Sequence, residues 1–231
     1  MEIKIEERLS RLSPNRFFGK VLLDWAQDII SLLEGKRILD IGCGYGFLVN
    51  TLLKRGFDAS GIDISKDAIE RGKNLYPGVD LQINDAYNLP FADNSFDSVV
   101  FHESIHHLEF EQAIKEADRL SRGCIIIFDP NPNFVVKLCR KIVRHKDEEA
   151  PYAQVMDVLR KFGYKITFFK LRDVLAMPLS GGFVGPQLLP DFDFLDRGLI
   201  NLDHLICNLL KLLGCQKFFC WRYIIKAEKI K

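Results

Sequence analysis

Three glycines, Gly42, Gly44 and Gly46, lie within the stretch RILDIGCGYGFL of residues 37–48. An apolar run precedes them, so they fall where a strand is expected to become a helix. Glycine lets the chain turn tightly and lets ligand atoms approach bare backbone, while the first amides of the helix face the same point. The spacing predicts that a flat, polar ligand lies across residues 42–46.

Further polar side chains stand directly after the later apolar runs of the chain. Carboxylates at such places accept hydrogen bonds from ligand hydroxyls or amines, and carboxylates and imidazoles can act as general bases. These side chains are Asp63 in GIDIS, Asp85 in NDAYNLPF, His102, Glu103, His106 and His107 in FHESIHHL, and Asp129 in CIIIFDP.

Strand-like runs alternate with helical patterns along most of the sequence, which predicts crossover connections and a parallel sheet. CIIIF and similar runs are continuously apolar, as expected of strands buried on both faces. We therefore expect a doubly wound α/β fold with a mostly parallel, seven-stranded sheet. The predicted strands are residues 37–41, 57–64, 79–84, 95–102, 123–129, 164–171 and 217–229, and the predicted helices include residues 109–121, 133–146, 152–163 and 199–213.

Ligands of such sheets bind beyond the carboxyl ends of the strands, where the strand order reverses. The glycine turn lies at that point. A dinucleotide fingerprint needs a small third residue, but Phe47 stands there, and no Gly-Lys-Ser/Thr follows to make a nucleoside triphosphate loop. The pattern is instead D-x-G-x-G-x-G.

LDIGCGYG resembles the first motif of the class I S-adenosylmethionine-dependent methyltransferases, and the segments around Asp63, Asp85 and His102 follow in that family's order. The resemblance covers roughly residues 36–130. It implies a Rossmann-like methyltransferase fold, S-adenosylmethionine as cofactor, Asp63 on the ribose hydroxyls, and Asp85 with Ala86 at the adenine. The cofactor-binding residues that it implies are Asp40, Gly42, Cys43, Gly44, Gly46, Asp63, Ile64, Asp85, Ala86 and His102.

The implied reaction is methyl transfer to a small-molecule acceptor, for which a lipid or glycan intermediate is a candidate. His102 and Glu103 are the candidate catalytic residues, whereas we expect His106 and His107 to cap or pack and Asp129 to reach the pocket. No metal site is expected. The alternatives are an NAD(P)-dependent oxidoreductase and a relative that binds the cofactor without transferring a methyl group.

The domain prediction is a single methyltransferase domain over residues 1–231. Residues 1–35 are predicted to form an N-terminal helical lid that includes Arg16, Phe17 and Phe18. Residues 36–130 are predicted to form the cofactor-binding core. Residues 131–231 are predicted to hold the substrate-side insertions and the last two strands. A long loop over residues 172–198 forms a lid-like insertion. Its apolar side chains either line a hydrophobic acceptor site or cover the sheet edge as ordinary core: Phe183, Leu188, Leu189, Phe192 and Phe194.

The composition is that of a globular protein, with 48% hydrophobic and 27% charged residues and a net charge of +1. This charge balance argues against binding of nucleic acid, which needs an excess of basic residues.

No run is apolar enough to span a bilayer, although the basic helix 133–146 allows a peripheral contact with a membrane surface. The beginning of the sequence is charged and lacks the apolar stretch of a secretory signal. Six scattered cysteines suit a reducing compartment, so we expect a cytoplasmic protein of undetermined oligomeric state.

Overall fold

The computed structural model describes residues 5–137, 149–182 and 187–230. Helices and strands alternate through most of this part of the chain. The helices are α1 (Ile5–Arg11), α2 (Phe17–Leu32), α3 (Phe47–Lys54), α4 (Lys66–Leu75), α5 (Phe110–Leu120), α6 (Tyr152–Lys161), α7 (Ala176–Leu179), α8 (Asp193–Leu212) and α9 (Gln216–Phe219). The strands are β1 (Arg37–Ile41), β2 (Asp58–Asp63), β3 (Asp80–Ile83), β4 (Phe96–His102), β5 (Ser121–Pro130), β6 (Tyr164–Arg172) and β7 (Arg222–Lys229).

The seven strands form one sheet in the order β3-β2-β1-β4-β5-β7-β6. The first five are parallel to their neighbours. Strand β7 is antiparallel to β5. Gly123 at the start of β5 lies close to Lys229 at the end of β7, which shows the opposite direction of the two strands. The chain leaves β1 toward β2 on one side and later continues from β4 to β5 on the other. The strand order therefore reverses between β1 and β4, and the prediction of a doubly wound, mostly parallel sheet of seven strands is confirmed.

The chain divides into two compact units. One comprises residues 29–130, 147–170 and 223–231, and it holds most of the sheet. Its core consists of side chains from the central strands and the helices beside them, among them Ile38, Leu39, Val99, Val100, Ile126 and Phe128, all of them fully buried. Such continuous burial explains why the strand sequences lack polar alternation.

The other unit comprises residues 1–28, 131–146 and 171–222. Trp25 of α2 is fully buried there, with the ring of Phe18 edge-on at 6.1 Å and the guanidinium of Arg222 5.3 Å from its ring centre. The buried Arg172 lies against the carboxylates of Asp24 and Asp28. Burial by itself would lower the pKa of this guanidinium, but the adjacent carboxylates raise it, so the cation persists inside the unit.

The predicted elements before residue 131 agree with the structure to within a few residues, except that the N-terminal helical segment is split into α1 and α2. The later part differs more. The predicted loop 172–198 contains α7, and α8 begins at Asp193 rather than at residue 199. Asp193 and Asp196 in the first turn favour this earlier start because they face the positive end of the helix dipole. The predicted strand 217–229 begins at Arg222, after α9.

Some predictions concern residues outside the described ranges, and others differ from what the structure shows. Most of the predicted basic helix 133–146 lies outside them, as does Phe183. Phe17 and Phe18 are fully buried at the start of α2. Leu188, Phe192 and Phe194 are exposed, so the interpretation of these three as ordinary core is wrong. Whether residues 1–35 act as a lid stays a prediction.

The loop between β3 and β4 is held by an ion pair on α5. A Glu116 carboxylate oxygen accepts the Leu89 amide at 2.8 Å and pairs with Arg119 at 2.6 Å. Arg119 also donates to the carbonyl oxygens of Leu89 and Phe91, at 3.0 and 2.7 Å. Burial by itself would raise the pKa of Glu116, but the hydrogen bonds from Arg119 and the Leu89 amide lower it. This contact fixes the loop that carries Asp85 and Ala86.

We expect Glu116→Ala to lower the free energy of unfolding by about 1–3 kcal/mol, because it leaves a buried amide unpaired. Since the pKa of Glu116 is lower in the folded chain, its contribution is present at neutral pH and lost as the pH falls through that lowered value. Urea titrations at neutral and acidic pH measure both effects. Glu111→Ala on the same helix, whose ion pair with Lys161 is exposed, is the control and should change stability by less than about 0.5 kcal/mol. Equal effects of the two substitutions would contradict the role of Glu116.

Candidate functional site

The carboxyl ends of the parallel strands place the predicted site residues along one edge of the sheet. Strand β1 ends at Ile41, β2 at Asp63, β3 at Ile83 and β4 at His102. Asp40 pairs in register with Gly61 of β2 and Val100 of β4, so these strand ends are neighbours. The sequence-predicted residues from Asp40 to Glu103 therefore meet at this edge, which is where ligands of such sheets bind.

Hydrogen bonds to β2 shape the glycine turn. The amides of Gly42 and Cys43 both donate to the carbonyl oxygen of Ile62, at 2.8 and 2.9 Å, and the Gly46 amide donates to the Cys43 carbonyl at 2.8 Å. All three glycines have positive φ, 76° at Gly42, 51° at Gly44 and 76° at Gly46. Other residue types rarely adopt this conformation, so the backbone itself requires glycine at these positions.

The surroundings of the three glycines assign them different roles. A Cβ at Gly42 would lie 2.4 Å from the Cβ of Ser104, and one at Gly46 would lie 2.8 Å from a methyl group of Leu81. A Cβ at Gly44 would have no atom within 4 Å. Gly42 and Gly46 therefore permit close packing within the protein, whereas Gly44 presents bare backbone to open space.

Asp63 joins the end of β2 to this turn. One carboxylate oxygen accepts the Gly44 amide at 2.8 Å and the other accepts the Ser65 amide at 2.8 Å. The hypothesis that Asp63 merely caps the following helix is wrong, because the N-cap of α4 is Ser65, whose hydroxyl accepts the Ala68 amide at 3.2 Å. Asp63 thus holds the backbone on which a ligand would lie, while its side chain stays partly accessible.

Asp40 lies buried beside the turn and is only 1% exposed. Its Oδ1 has no hydrogen-bond partner among the described residues. Burial and the charge of Asp63 raise the pKa of Asp40 well above its ordinary value. A buried acceptor without a partner is costly, and a cationic or hydrogen-bond-donating ligand group would remove that cost.

Cys43, predicted to contact the cofactor, lies at the same turn. Burial raises the pKa of its thiol well above the ordinary value, and the charges of Asp40 and Asp63 raise it further. The thiol therefore stays protonated, and its chemistry is that of a small apolar side chain rather than a nucleophile.

The predicted adenine contacts lie at the ends of β2 and β3. Asp85 is exposed, and it accepts the Tyr87 amide at 3.1 Å, so it holds a turn, as one hypothesis expected. Ala86 beside it is buried. Ile64 is 75% exposed, and the neighbouring Ile83 and Tyr87 are exposed too. This group offers apolar surface together with one carboxylate, which suits a flat heteroaromatic ring with an amino group.

The chain bends sharply where β4 ends. Glu103 has a φ of 57°, which is uncommon for a residue with a side chain, and its amide donates to the Phe128 carbonyl at 2.7 Å. Ser104 then anchors the segment, because its hydroxyl donates to the Ile41 carbonyl at 2.6 Å. The ring of His102 packs edge-on against Phe128 at 5.6 Å. Backbone strain of this kind concentrates at functional sites.

Beyond this bend, His106 and Asp129 form a buried pair, with Nδ1 of the imidazole 2.9 Å from a carboxylate oxygen. The ring of His107 lies 3.9 Å from that of His106. This packing agrees with the structural role expected of the two histidines. Asp129 contacts one of them, and whether it also reaches the ligand stays a prediction.

Sequence reasoning did not identify Tyr223 or Ser104. Tyr223 of β7 is buried, and its hydroxyl donates to the Ala150 carbonyl at 2.9 Å. Burial and then the charges of Asp129 and Glu103 raise the pKa of Tyr223 well above the ordinary value, so the phenol stays neutral. Nothing in its local sequence marks this residue, because the partners are distant in the chain.

No group of three or more His, Cys, Asp or Glu side chains among the described residues is arranged to hold a metal ion. No helix in this part of the chain is long and apolar enough to cross a membrane.

Comparison with known families gives a match to the family model described as "Methyltransferase domain", over residues 39–128. A phthiotriol/phenolphthiotriol dimycocerosates methyltransferase of Mycobacterium ulcerans is 36% identical over 111 residues, 44% of this chain and 40% of the relative. A ubiquinone biosynthesis O-methyltransferase of Bordetella avium is 26% identical over 52% of this chain and 50% of its own length. The chain thus spans about half or less of these curated relatives.

Solved structures resemble a larger part of the chain. A SAM-dependent methyltransferase from Archaeoglobus fulgidus has a TM-score of 0.67 at 18% identity, over 91% of this chain and 94% of that one. Magnesium protoporphyrin IX methyltransferase from Synechocystis, solved with bound SAH, has a TM-score of 0.59 at 14% identity, over 100% of this chain and 89% of its own. At such low identities this likeness establishes the fold.

The family match covers the strands and turns that carry the predicted site, and the fold agrees with it. The comparisons support S-adenosylmethionine as the cofactor, and they do not favour a nicotinamide-dependent oxidoreductase. Over residues 39–128, the chain therefore matches a methyltransferase domain, and the comparisons together support a class I S-adenosylmethionine-dependent methyltransferase.

Proposed function

We propose that this protein transfers a methyl group from S-adenosylmethionine to a small-molecule acceptor. The observation that carries this proposal is the open backbone at Gly44, bordered by the carboxyl groups of Asp40 and Asp63. An acidic edge favours a ligand with a sulfonium and an ammonium group. It disfavours the anionic pyrophosphate of a dinucleotide, which the Asp63 carboxylate would repel.

We assign the parts of the cofactor to the residues that suit them. The Asp63 carboxylate, within reach of the glycine turn, binds the ribose hydroxyls, and the Gly44 backbone allows the ligand to lie close. Ile64 and Ala86 contact the adenine, with Asp85 accepting its amino group. Asp40, through the buried oxygen that has no partner among the described residues, favours the cationic end of the ligand.

The cofactor supplies an activated methyl group on a positively charged sulfur. The protein has to hold donor and acceptor in line and keep water away, and good alignment is worth about 7–11 kcal/mol of the barrier. We propose that His102 or Glu103 accepts the proton when the acceptor is a hydroxyl. The bend at Glu103 turns the chain across the end of β4, at the edge of the sheet where we place the ligand.

Lipid-soluble acceptors are the class we propose to test first. The names of the relatives support this choice, since they include a demethylmenaquinone methyltransferase and a fatty-acid O-methyltransferase. The similarity to these two relatives extends over less than half of each chain. For this protein, the class of acceptor is therefore a proposal.

Calorimetric titration of the purified chain with S-adenosylhomocysteine and with NADH tests the cofactor. We expect binding of the first and none of the second, and the reverse result would overturn the proposal. Incubation with methyl-labelled donor and lipid or polar metabolite extracts then tests transfer. Binding without any labelled product would indicate a relative that holds the cofactor without catalysis.

Gly44→Val should abolish binding of S-adenosylhomocysteine, because the side chain would occupy the space that the ligand needs. Gly56→Val is a matched control, since Gly56 also has a positive φ, 82°, and open space around its missing Cβ. Both substitutions carry a similar backbone strain of about 1–2 kcal/mol. Thermal unfolding and calorimetry separate the effects. Normal binding by the Gly44 variant would show that this glycine serves the turn alone.

Asp63→Ala should weaken binding of S-adenosylhomocysteine by about 1.5–3 kcal/mol, as expected for lost hydrogen bonds to a charged group. Because Asp63 also holds the Gly44 amide, the stability of each variant is measured alongside its affinity. Asp67→Ala, which removes an exposed ion pair with Arg71 on α4, should leave affinity unchanged. An unaltered affinity in the Asp63 variant would exclude the ribose role.

Cofactor binding should release a proton at Asp40. Because burial and Asp63 raise the pKa of this carboxyl, a cationic ligand that favours the ionised form binds more tightly as the pH rises through the raised value. Calorimetry in buffers of different ionisation enthalpy measures the released proton. Asp40→Asn should remove the release and increase stability at neutral pH, because folding no longer buries a carboxyl that is ionised in the unfolded chain. A proton release that persists in Asp40→Asn would contradict the assignment.

A further inference from the structure

Helix α8 places carboxylates on its buried face and leucines on its solvent face. Asp196 and Asp203 are buried, whereas Leu205, Leu209 and Leu212 are exposed, Leu212 by 83%. Residues seven apart share a helix face, so Asp196 and Asp203 point the same way and the leucines point away from them. A surface helix ordinarily has the opposite arrangement.

Buried polar contacts fix this orientation of α8. A carboxylate oxygen of Asp196 lies 2.7 Å from the Lys20 ammonium. One of Asp203 accepts the amides of Val174 and Ala176, at 2.9 and 3.1 Å, and that of Leu175. Turning the leucines inward would break all of these contacts and leave buried charges and amides unpaired. Their exposure is therefore a stable property of the unit.

The exposed apolar side chains continue beyond the end of α8 into α9. Leu213 is 72% exposed, and Phe218 and Phe219 of α9 are exposed as well. We call this group the apolar corner; it consists of Leu205, Leu209, Leu212, Leu213, Phe218 and Phe219. Contiguous apolar patches of this kind mark interaction sites.

The exposed charged side chains in the stretch of chain that carries the apolar corner are positive. Residues 204–227 contain no Asp or Glu, and the cations beside the corner are Lys211 and Lys217. Both lysines are exposed, and neither forms an ion pair with any described residue. The Lys217 ammonium lies 5.0 Å from the centre of the Phe218 ring. Leucine and phenylalanine with flanking lysines are the composition of surfaces that enter the boundary of an anionic bilayer.

We propose that the apolar corner docks this protein on a membrane surface that carries anionic lipid headgroups. The leucines and phenylalanines enter the boundary between headgroups and acyl chains, while Lys211 and Lys217 contact the headgroup phosphates. A second copy of the chain is the less suitable occupant. Two corners facing each other would bring four lysines together with no carboxylate of the corner to neutralise them.

Sedimentation of the chain of residues 1–231 with lipid vesicles tests this proposal without an activity assay. We expect binding to vesicles of phosphatidylcholine mixed with phosphatidylglycerol, and weaker binding to phosphatidylcholine alone. Leu212→Glu should reduce binding by about tenfold or more, since it puts a charge where apolar contact is needed. Leu75→Glu, on an exposed leucine at the end of α4, is the matched control and should bind as the native chain does.

The charge contribution is tested by a second pair of variants. Lys211→Glu with Lys217→Glu should lower binding to the mixed vesicles by more than about tenfold, because each lysine near an anionic surface is worth about fivefold. Lys115→Glu with Lys165→Glu changes the net charge equally at exposed positions elsewhere and should have a much smaller effect. Thermal unfolding verifies that each variant is folded.

Three results would overturn the proposal. The native chain could fail to bind the mixed vesicles, or Leu212→Glu could bind as well as the native chain. Sedimentation velocity could instead reveal self-association that Leu212→Glu abolishes, with no binding to vesicles, and the corner would then be an interface between two copies of this chain.

Discussion

The carbonyl oxygen of Ile62 and the carboxylate of Asp63 hold the glycine turn to the end of β2. Together they accept the amides of Gly42, Cys43 and Gly44. This small set of bonds keeps the backbone open at Gly44 and brings Asp40 close to Asp63. The parallel pairing of β1 with β2 makes it possible, since it places both strand ends at the same edge. The proposed cofactor site depends on this contact.

The same arrangement costs stability. Asp40 is buried with a carboxyl oxygen that has no partner in the described part of the chain, and the charge of Asp63 raises its pKa further. Glu103 adds a backbone conformation that side chains disfavour. Such costs are tolerated where a ligand removes them, and here they lie at one sheet edge. The ion pair of Glu116 and Arg119, beside the loop between β3 and β4, differs from this site. It stabilises the fold without leaving a polar group unpaired.

Polar contacts have a different consequence in the unit that contains α8. Asp196 and Asp203 set the rotation of this helix through Lys20 and the amides around Leu175. The apolar side chains are then left outside, where they form the corner that we assign to a membrane surface. Charge pairs inside this unit thus decide which surface it presents to other molecules.

The sequence by itself determined the order of strands and helices before residue 131 and the glycine turn with its family resemblance. Apolar periodicity and glycine spacing are local properties, so the chain reveals them without a structure. Periodicity was a weaker guide after residue 131. The start of α8 was missed there, since the predicted loop 172–198 took in the first residues of the helix, the exposed Gly198 among them.

Only the tertiary structure distinguished the three glycines and showed what Asp63 holds. The neighbours that decide these roles, Ser104, Leu81 and Ile62, lie roughly 20 to 60 residues away in the chain and meet the turn only through strand pairing and helix packing. The buried partners of Asp129 and Tyr223 and the outward face of α8 were likewise decided in three dimensions. Burial and hydrogen bonding between distant segments depend on the fold, and a linear pattern does not contain them.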